Sequence, residues 1–172
     1  MAHRGPHEFN TGFTWQVPTG PFRRLTADQV DAYNANGYCV VPDVFSPAEV
    51  RRMTEEIDPV EARLSAALSR RSRHDVAPDE FTVSATLVQR SAVLREFCAA
   101  GPMPEIAKDL LGPAVRLFWE QAVYKKPHTD RTFPWHQDNG KVFVTPQQYL
   151  TCWIALTDAT EDNGCPVMAH GM

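Results

Sequence analysis

The stretch from Phe133 to Met172, FPWHQDNGKVFVTPQQYLTCWIALTDATEDNGCPVMAHGM, decides how the rest of the chain is interpreted. Near its start lie His136 and Asp138, one residue apart. In an extended strand alternate side chains point to the same face, so this spacing predicts that the imidazole and the carboxylate lie side by side. Such a pair supplies two ligands of a two-His-one-carboxylate iron site. Alone it is a weak signal, and the alternative is a surface histidine and aspartate in a turn.

A change of pattern along the chain predicts the fold class. Apolar residues recur at helical spacing as far as Gly112, whereas the sequence after it is rich in apolar and aromatic residues typical of strands. Helices followed by strands favour an α+β fold, in which a helical layer supports a β-barrel or sandwich. We predict strands over residues 38–41, 115–124, 134–138, 150–156 and 165–168.

Capping signals predict where the helices begin. Thr26 with Gln29, and Ser46 with Glu49, have the spacing of capping boxes, and Gly37 is a natural helix end. We predict two further helices over residues 91–100 and 103–111. The helix after Ser46 carries a stripe that we expect to face the core, and Pro59 is expected to kink or divide it. This stripe consists of Val50, Met53, Ile57, Val60, Leu64 and Leu68.

Composition narrows the class of protein. The 172 residues are 43% hydrophobic and 22% charged, as in an ordinary globular protein, and are enough for one domain. The net charge of −4 gives no basic surface for nucleic acid, and no apolar run is long enough to span a membrane. The four cysteines form no Cys-x-x-Cys pair, and two of them, Cys39 and Cys152, lie in apolar runs where buried free thiols are common. A reducing, cytoplasmic location is the expectation.

Three blocks in fixed order carry a resemblance to a known family. They are Trp135–Asp138, Tyr149–Leu156 and Asp162–Val167, and the opening of the chain, Leu25–Gln29 with Ser46–Glu49, agrees with them. Together they resemble the phytanoyl-CoA dioxygenase (PhyH) family of Fe(II)- and 2-oxoglutarate-dependent oxygenases. The resemblance implies a double-stranded β-helix, a jelly-roll of the cupin type. The expected layout is a single domain with an arm over 1–24, a helical region over 25–112 and the first part of the jelly-roll over 113–172, with about half of the barrel strands.

The resemblance also implies a reaction. His136 and Asp138 would be metal ligands and catalytic residues, with Fe(II) as cofactor and with 2-oxoglutarate and O2 as co-substrates. A C–H bond of a small-molecule substrate would be hydroxylated or otherwise oxidised, with release of succinate and CO2. A carboxylate at 138 favours hydroxylation over halogenation. The family's remaining ligand, a second histidine, and its 2-oxoglutarate-binding arginine are expected beyond Met172. No family precedent supports a ligand role for His74, His128 or His170.

Three residues are candidates for the co-substrate pocket. The Gln121 amide could hold a 2-oxoglutarate carboxylate, or Gln121 could be a polar residue on the outer face of a strand. Thr151 and Trp153 share a strand face by the period of two, and Trp153 matches a family position beside 2-oxoglutarate, although it could also be a core aromatic. We expect Lys126 to position a loop or make a surface contact.

Two other functional classes remain open at this point. The chain could be a non-catalytic fragment or binding module that retains the fold without a complete metal site. It could also be a cupin-like protein that binds zinc or nickel. Strict stimulation by ferrous iron with 2-oxoglutarate would exclude the latter.

Overall fold

The computed structural model describes residues 12–71, 81–127, 133–138, 144–145 and 147–170. Among them it shows four helices and one two-stranded sheet, which confirms the α+β class. The helices are α1 (Ala27–Asn36), α2 (Pro47–Arg71), α3 (Ala92–Ala99) and α4 (Pro102–Leu111), and the strands are β1 (Phe81–Ala85) and β2 (Gln121–Lys125). Short 3-10 turns cover Leu87–Gln89 and Glu161–Asn163.

Both predicted capping boxes form. The Gln29 N–H donates to Thr26 Oγ1 at 3.2 Å, and the Thr26 N–H donates to Gln29 Oε1 at 2.9 Å. Ser46 and Glu49 exchange the same two bonds at 2.8 and 3.3 Å. Gly37 ends α1 in the left-handed conformation, at a φ of 81°, where a side chain would be strained. These local signals therefore placed the starts of α1 and α2 correctly.

Helix α2 supplies one side of the larger core. It runs as one helix through Pro59, so of the two predicted effects of this proline, a kink or a division, the division does not occur. Its stripe faces inward as predicted, with Met53 and Ile57 buried. They pack with Leu87, Leu94 and Ala122. A second core, of Leu25, Val30, Ile106 and Leu110, lies between α1 and α4.

Strands β1 and β2 pair in antiparallel fashion, with Phe81 opposite Lys125, Val83 opposite Val123 and Ala85 opposite Gln121. Strand β1 was not predicted. Its Thr82 and Ser84 are buried on the same face as Ala122 of β2. The other face of the pair, which carries Val83 and Val123, is exposed. The two-stranded sheet thus has a helix-covered face and an open face.

Most of the predicted strands are wrong as secondary structure. Only the last part of 115–124 is in a strand, and 38–41, 134–138, 150–156 and 165–168 contain none. The physical reason is that an extended segment becomes a strand only where a neighbouring backbone supplies hydrogen bonds. Within the described ranges, β1 and β2 alone supply them to each other. The jelly-roll therefore remains a proposal.

The arm before α1 is fixed by one buried carboxylate on α4. Asp109 accepts hydrogen bonds from the backbone N–H groups of Arg23, Arg24 and Leu25, at 2.8, 2.8 and 3.0 Å. The described part of the arm is thus attached to α4 at residues 23–25, and its first 11 residues lie outside the described ranges. None of the described helices is both long and apolar enough to span a membrane. Cys39 and Cys152 are free, and burial raises the pKa of both thiols, although Cys152 as a whole residue is exposed.

Candidate metal site

His136 and Asp138 lie side by side. Nε2 of His136 is 3.5 Å from Oδ1 of Asp138, and both side chains are partly accessible to solvent. The Nδ1 atom of His136 is 2.7 Å from the carbonyl oxygen of Pro134. Because a carbonyl oxygen only accepts hydrogen bonds, Nδ1 carries the proton in the neutral ring, and Nε2 presents a lone pair towards the carboxylate. A metal-binding histidine is usually oriented in this way by the partner of its other nitrogen.

The spacing of these two atoms fits a shared metal ion. Ligand atoms that each lie about 2.1 Å from a metal are about 3 Å apart at adjacent octahedral positions and about 3.4 Å apart at tetrahedral positions. The observed 3.5 Å requires only a small adjustment. An imidazole nitrogen and a carboxylate oxygen suit Fe(II) and also zinc, so the two donors alone do not choose the metal.

A third protein ligand is not found in the part of the chain that the structure describes. Those residues contain no group of three or more His, Cys, Asp or Glu side chains that could hold a metal ion. The ring of His170 packs instead against Tyr38, with the ring centroids 5.4 Å apart. His74 and His128 lie outside the described residues.

Gln121 begins β2 and lies on the exposed face of the two-stranded sheet. Its Oε1 accepts a hydrogen bond of 3.2 Å from Nε1 of Trp119. An indole N–H can only donate, so this contact fixes which end of the amide is the oxygen. The amide nitrogen is therefore the end of Gln121 that points away from this contact and can donate a hydrogen bond to a ligand.

Thr151 and Trp153 are both exposed, Trp153 at 61%. The flanking residues Leu150 and Leu156 are partly buried and pack against the two cores. Trp153 is therefore not a core aromatic in this structure. Its ring is accessible to a ligand or to another protein segment.

Lys126 binds helix α2. Its ammonium pairs with the carboxylate of Glu61, which also accepts a 3.0 Å hydrogen bond from Thr82 Oγ1. The Lys126 contact is the main cause that holds the pKa of Glu61 below its usual range. This agrees with the expectation that Lys126 positions a loop. It joins the end of β2 to α2.

Replacing Lys126 with methionine should lower the free energy of unfolding by about 2 kcal/mol, because Glu61 would keep a largely buried charge without its main partner. Since the folded pKa of Glu61 is depressed, the pair stabilises the chain above the unfolded pKa and is lost as the pH falls through the folded one. Urea denaturation at pH 7 and at pH 4 measures both effects. An equal loss at the two pH values would contradict the assignment.

Sequence reasoning missed Lys125, whose side chain contacts the region of the candidate site. Its ammonium donates to the carbonyl oxygen of Gly164 and lies 5.7 Å from the centroid of the Phe133 ring. No local pattern signals this contact, because Lys125 and Gly164 are 39 residues apart.

Comparison with known families now identifies the kind of protein. The family model for phytanoyl-CoA dioxygenase (PhyH) matches residues 33–171, which is most of the chain. The chain belongs to this family. The match includes the His136–Asp138 pair, both strands and the candidate pocket residues, so the resemblance seen in the sequence is confirmed.

Curated PhyH-family relatives are named as hydroxylases and dioxygenases. A methylphosphonate hydroxylase from Gimesia maris is 27% identical over 82% of this chain and 54% of its own length. An ectoine dioxygenase from Bordetella bronchiseptica is 27% identical over 86% of this chain and 49% of its own. A phytanoyl-CoA dioxygenase from Arabidopsis thaliana is 23% identical over 82% and 62%. The chain thus spans roughly half the length of these relatives. No solved structure matches it significantly.

Proposed function

We propose that this chain provides the iron-binding part of an Fe(II)- and 2-oxoglutarate-dependent dioxygenase, which hydroxylates or otherwise oxidises a C–H bond of a small molecule and releases succinate and CO2. The observation that carries the proposal is the His136–Asp138 pair, with its 3.5 Å spacing and its imidazole oriented by Pro134. Membership of a family whose named relatives are oxygenases supports the reaction class.

The residues of the chain would bind, orient and protect. His136 Nε2 and the Asp138 carboxylate would hold the metal, and the Pro134 carbonyl would keep the imidazole in the required tautomer. Bound iron would supply the activation of O2 with 2-oxoglutarate as the reductant. The proposal assigns the third ligand, a histidine, and an arginine for the co-substrate to residues outside the described ranges.

The co-substrate would lie against the open face of the two-stranded sheet. The Gln121 amide nitrogen, whose orientation Trp119 sets, is a donor and suits a carboxylate. The Thr151 hydroxyl could donate to the same group, and the Trp153 ring would cover the chelate and exclude water. These three assignments rest on exposure and on the family match.

An anaerobic titration of the chain with Fe(II) and 2-oxoglutarate tests this function. A complete chelate gives a weak visible charge-transfer band, which should be absent in the His136→Ala variant. A band of equal strength in that variant, or no iron binding by the folded chain, would contradict the proposal. Zinc or nickel binding that 2-oxoglutarate does not affect would favour the cupin-like alternative.

A non-catalytic binding module is the second candidate, because the described residues include only two grouped metal ligands. Such a module would show no His136-dependent binding of iron. It would also show no 2-oxoglutarate-dependent consumption of O2 in any form of the protein.

Replacing Trp153 with alanine should raise the concentration of 2-oxoglutarate required for half-saturation by about ten-fold, since one large stacking or covering group is worth about 1.4 kcal/mol. The side chain is 61% exposed, so the thermal midpoint should change little. Replacing the exposed Val167 with alanine is the matched control and should change neither quantity. If Trp153→Ala lowered the thermal midpoint without changing 2-oxoglutarate binding, Trp153 would be structural.

A further inference from the structure

Lys125 is the last residue of β2, and its side chain joins three separate parts of the chain. In the sheet it stands opposite Phe81 of β1. Its ammonium donates to the carbonyl oxygen of Gly164 and lies 5.7 Å from the centroid of the Phe133 ring. The Phe133 ring also packs on Phe81, with centroids 4.8 Å apart. Phe133 is thus held by both members of one cross-strand pair.

Two of these parts lie at or next to blocks that carry the family resemblance. Phe133 lies three residues before His136, within the same described range, 133–138. Gly164 follows the 3-10 turn Glu161–Asn163. One ammonium therefore contacts both parts at the end of β2. It donates a charge-assisted hydrogen bond to Gly164 and makes a cation–π contact with Phe133.

The close approach also explains the glycine at 164. Its φ of 79° favours glycine over residues with a side chain. A Cβ at this position would lie 2.9 Å from Nζ and 3.1 Å from Cδ of Lys125. Even alanine would thus displace the lysine. The backbone conformation therefore favours glycine, and a Cβ there would also require the end of the Lys125 side chain to move.

The two adjacent lysines have different roles. Lys126 pairs with Glu61 of α2, the helix that packs on the covered face of the sheet. Lys125 is exposed, and by the alternation of β2 it shares a face with Gln121, the candidate co-substrate residue. Removing its charge opens no cavity in the core.

We propose that Lys125 is a positioning residue for the metal site. By holding Phe133 and the Gly164 carbonyl, it fixes the His136–Asp138 segment against the two-stranded sheet and so sets the affinity for metal. The metal part of this inference rests on the proposed function. The placement of the segment does not.

The test compares Lys125→Met, Lys125→Arg and Lys126→Met. The first readout requires no metal: the NMR cross-relaxation between the Phe81 and Phe133 rings, which are close enough to give a strong signal. It should fall at least two-fold in Lys125→Met, be retained in Lys125→Arg and be unchanged in Lys126→Met. Gly164→Ala should reproduce the loss, because it displaces the lysine. The second readout is the dissociation constant for Co(II), which should rise about ten-fold in Lys125→Met and remain near the wild-type value in Lys126→Met.

The outcomes separate the two proposals. An unchanged ring signal in Lys125→Met overturns the positioning role whatever the metal does. An unchanged Co(II) affinity in Lys125→Met, with wild-type binding that depends on His136, overturns it too. A lost ring signal together with wild-type Co(II) binding that is insensitive to His136→Ala supports the placement by Lys125 and rejects the proposed metal site.

Discussion

Replacing Asp109 with alanine should lower the free energy of unfolding by about 3 kcal/mol, one of the two largest effects we expect from a single substitution. The Asp109 side chain is fully buried. Its two oxygens accept from three consecutive backbone N–H groups, those of Arg23, Arg24 and Leu25. Alanine would leave those donors without their acceptor and would release the arm from α4, next to the core that contains Leu25.

Urea denaturation followed by circular dichroism measures this loss. Asp109→Asn is the informative second variant, because it keeps the volume and one acceptor oxygen but replaces the other with a donor, and we expect an intermediate loss. Asp28→Ala, at an exposed position of α1, is the control and should change stability by less than about 0.5 kcal/mol. A loss below about 1 kcal/mol in Asp109→Ala would show that the arm contributes little to stability.

The same carboxylate predicts part of the acid response. Burial raises the pKa of Asp109, but the three backbone donors and the Arg23 guanidinium outweigh it, so the pKa lies below its usual range. A depressed folded pKa stabilises the chain above the unfolded pKa, near 4, and this contribution is lost as the pH falls through the folded value. Unfolding free energy should therefore fall more steeply below pH 4 in the wild type than in Asp109→Ala.

The Asp109 contacts show what the sequence could not reveal. They join residues 84 to 86 positions apart, so no local pattern signals them. The same is true of β1, whose five residues become a strand only because β2 lies beside them. By contrast, the capping boxes at Thr26 and Ser46 join residues three positions apart. Such short-range hydrogen bonds can be predicted from spacing alone.

The predicted strands after residue 133 are wrong as secondary structure, since 134–138, 150–156 and 165–168 contain no strand. The period of two along 150–156 predicted that Thr151 and Trp153 share a face, and both are exposed, whereas Leu150 and Leu156 pack against the two cores. Side-chain alternation depends only on an extended backbone, whereas a strand also requires a hydrogen-bonded neighbour. The shared exposure of Thr151 and Trp153 agrees with the predicted period of two, whereas the pairing of the segment depends on a neighbouring backbone that the local sequence does not specify.

The candidate site divides along the same line. The spacing of His136 and Asp138 predicted that the two side chains lie together, and they do. The Pro134 carbonyl, which orients the imidazole, lies two residues away, yet nothing in the residue type of a proline signals this role. The contacts of Lys125 required the folded arrangement of three segments. The spacing thus predicted that the two proposed metal-binding side chains lie together. It did not predict the contacts that orient them.

Replacing His136 with alanine should weaken binding of Fe(II) at least 100-fold and abolish any 2-oxoglutarate-dependent oxidation. The imidazole is one of the two proposed ligands, which lie 3.5 Å apart, and Asp138 alone would bind iron as weakly as an ordinary surface carboxylate. The fold should persist, because the residue is exposed and its polar contacts, to the Pro134 carbonyl and to Asp138, are both within two residues of it. Calorimetric titration with Fe(II) under anaerobic conditions measures the affinity, and circular dichroism checks the fold.

His170→Ala is the matched control, since it removes another exposed imidazole, one that packs on Tyr38 rather than beside a carboxylate. It should leave iron affinity unchanged. Asp138→Ala should end oxidation even if some iron remains bound through His136, because the carboxylate would be the second ligand of the proposed site. Equal iron affinities in His136→Ala and the wild type would reject the ligand assignment. A loss shared by His170→Ala would mean instead that His170 approaches the metal when the site is filled, and that the contact with Tyr38 is exchanged for coordination.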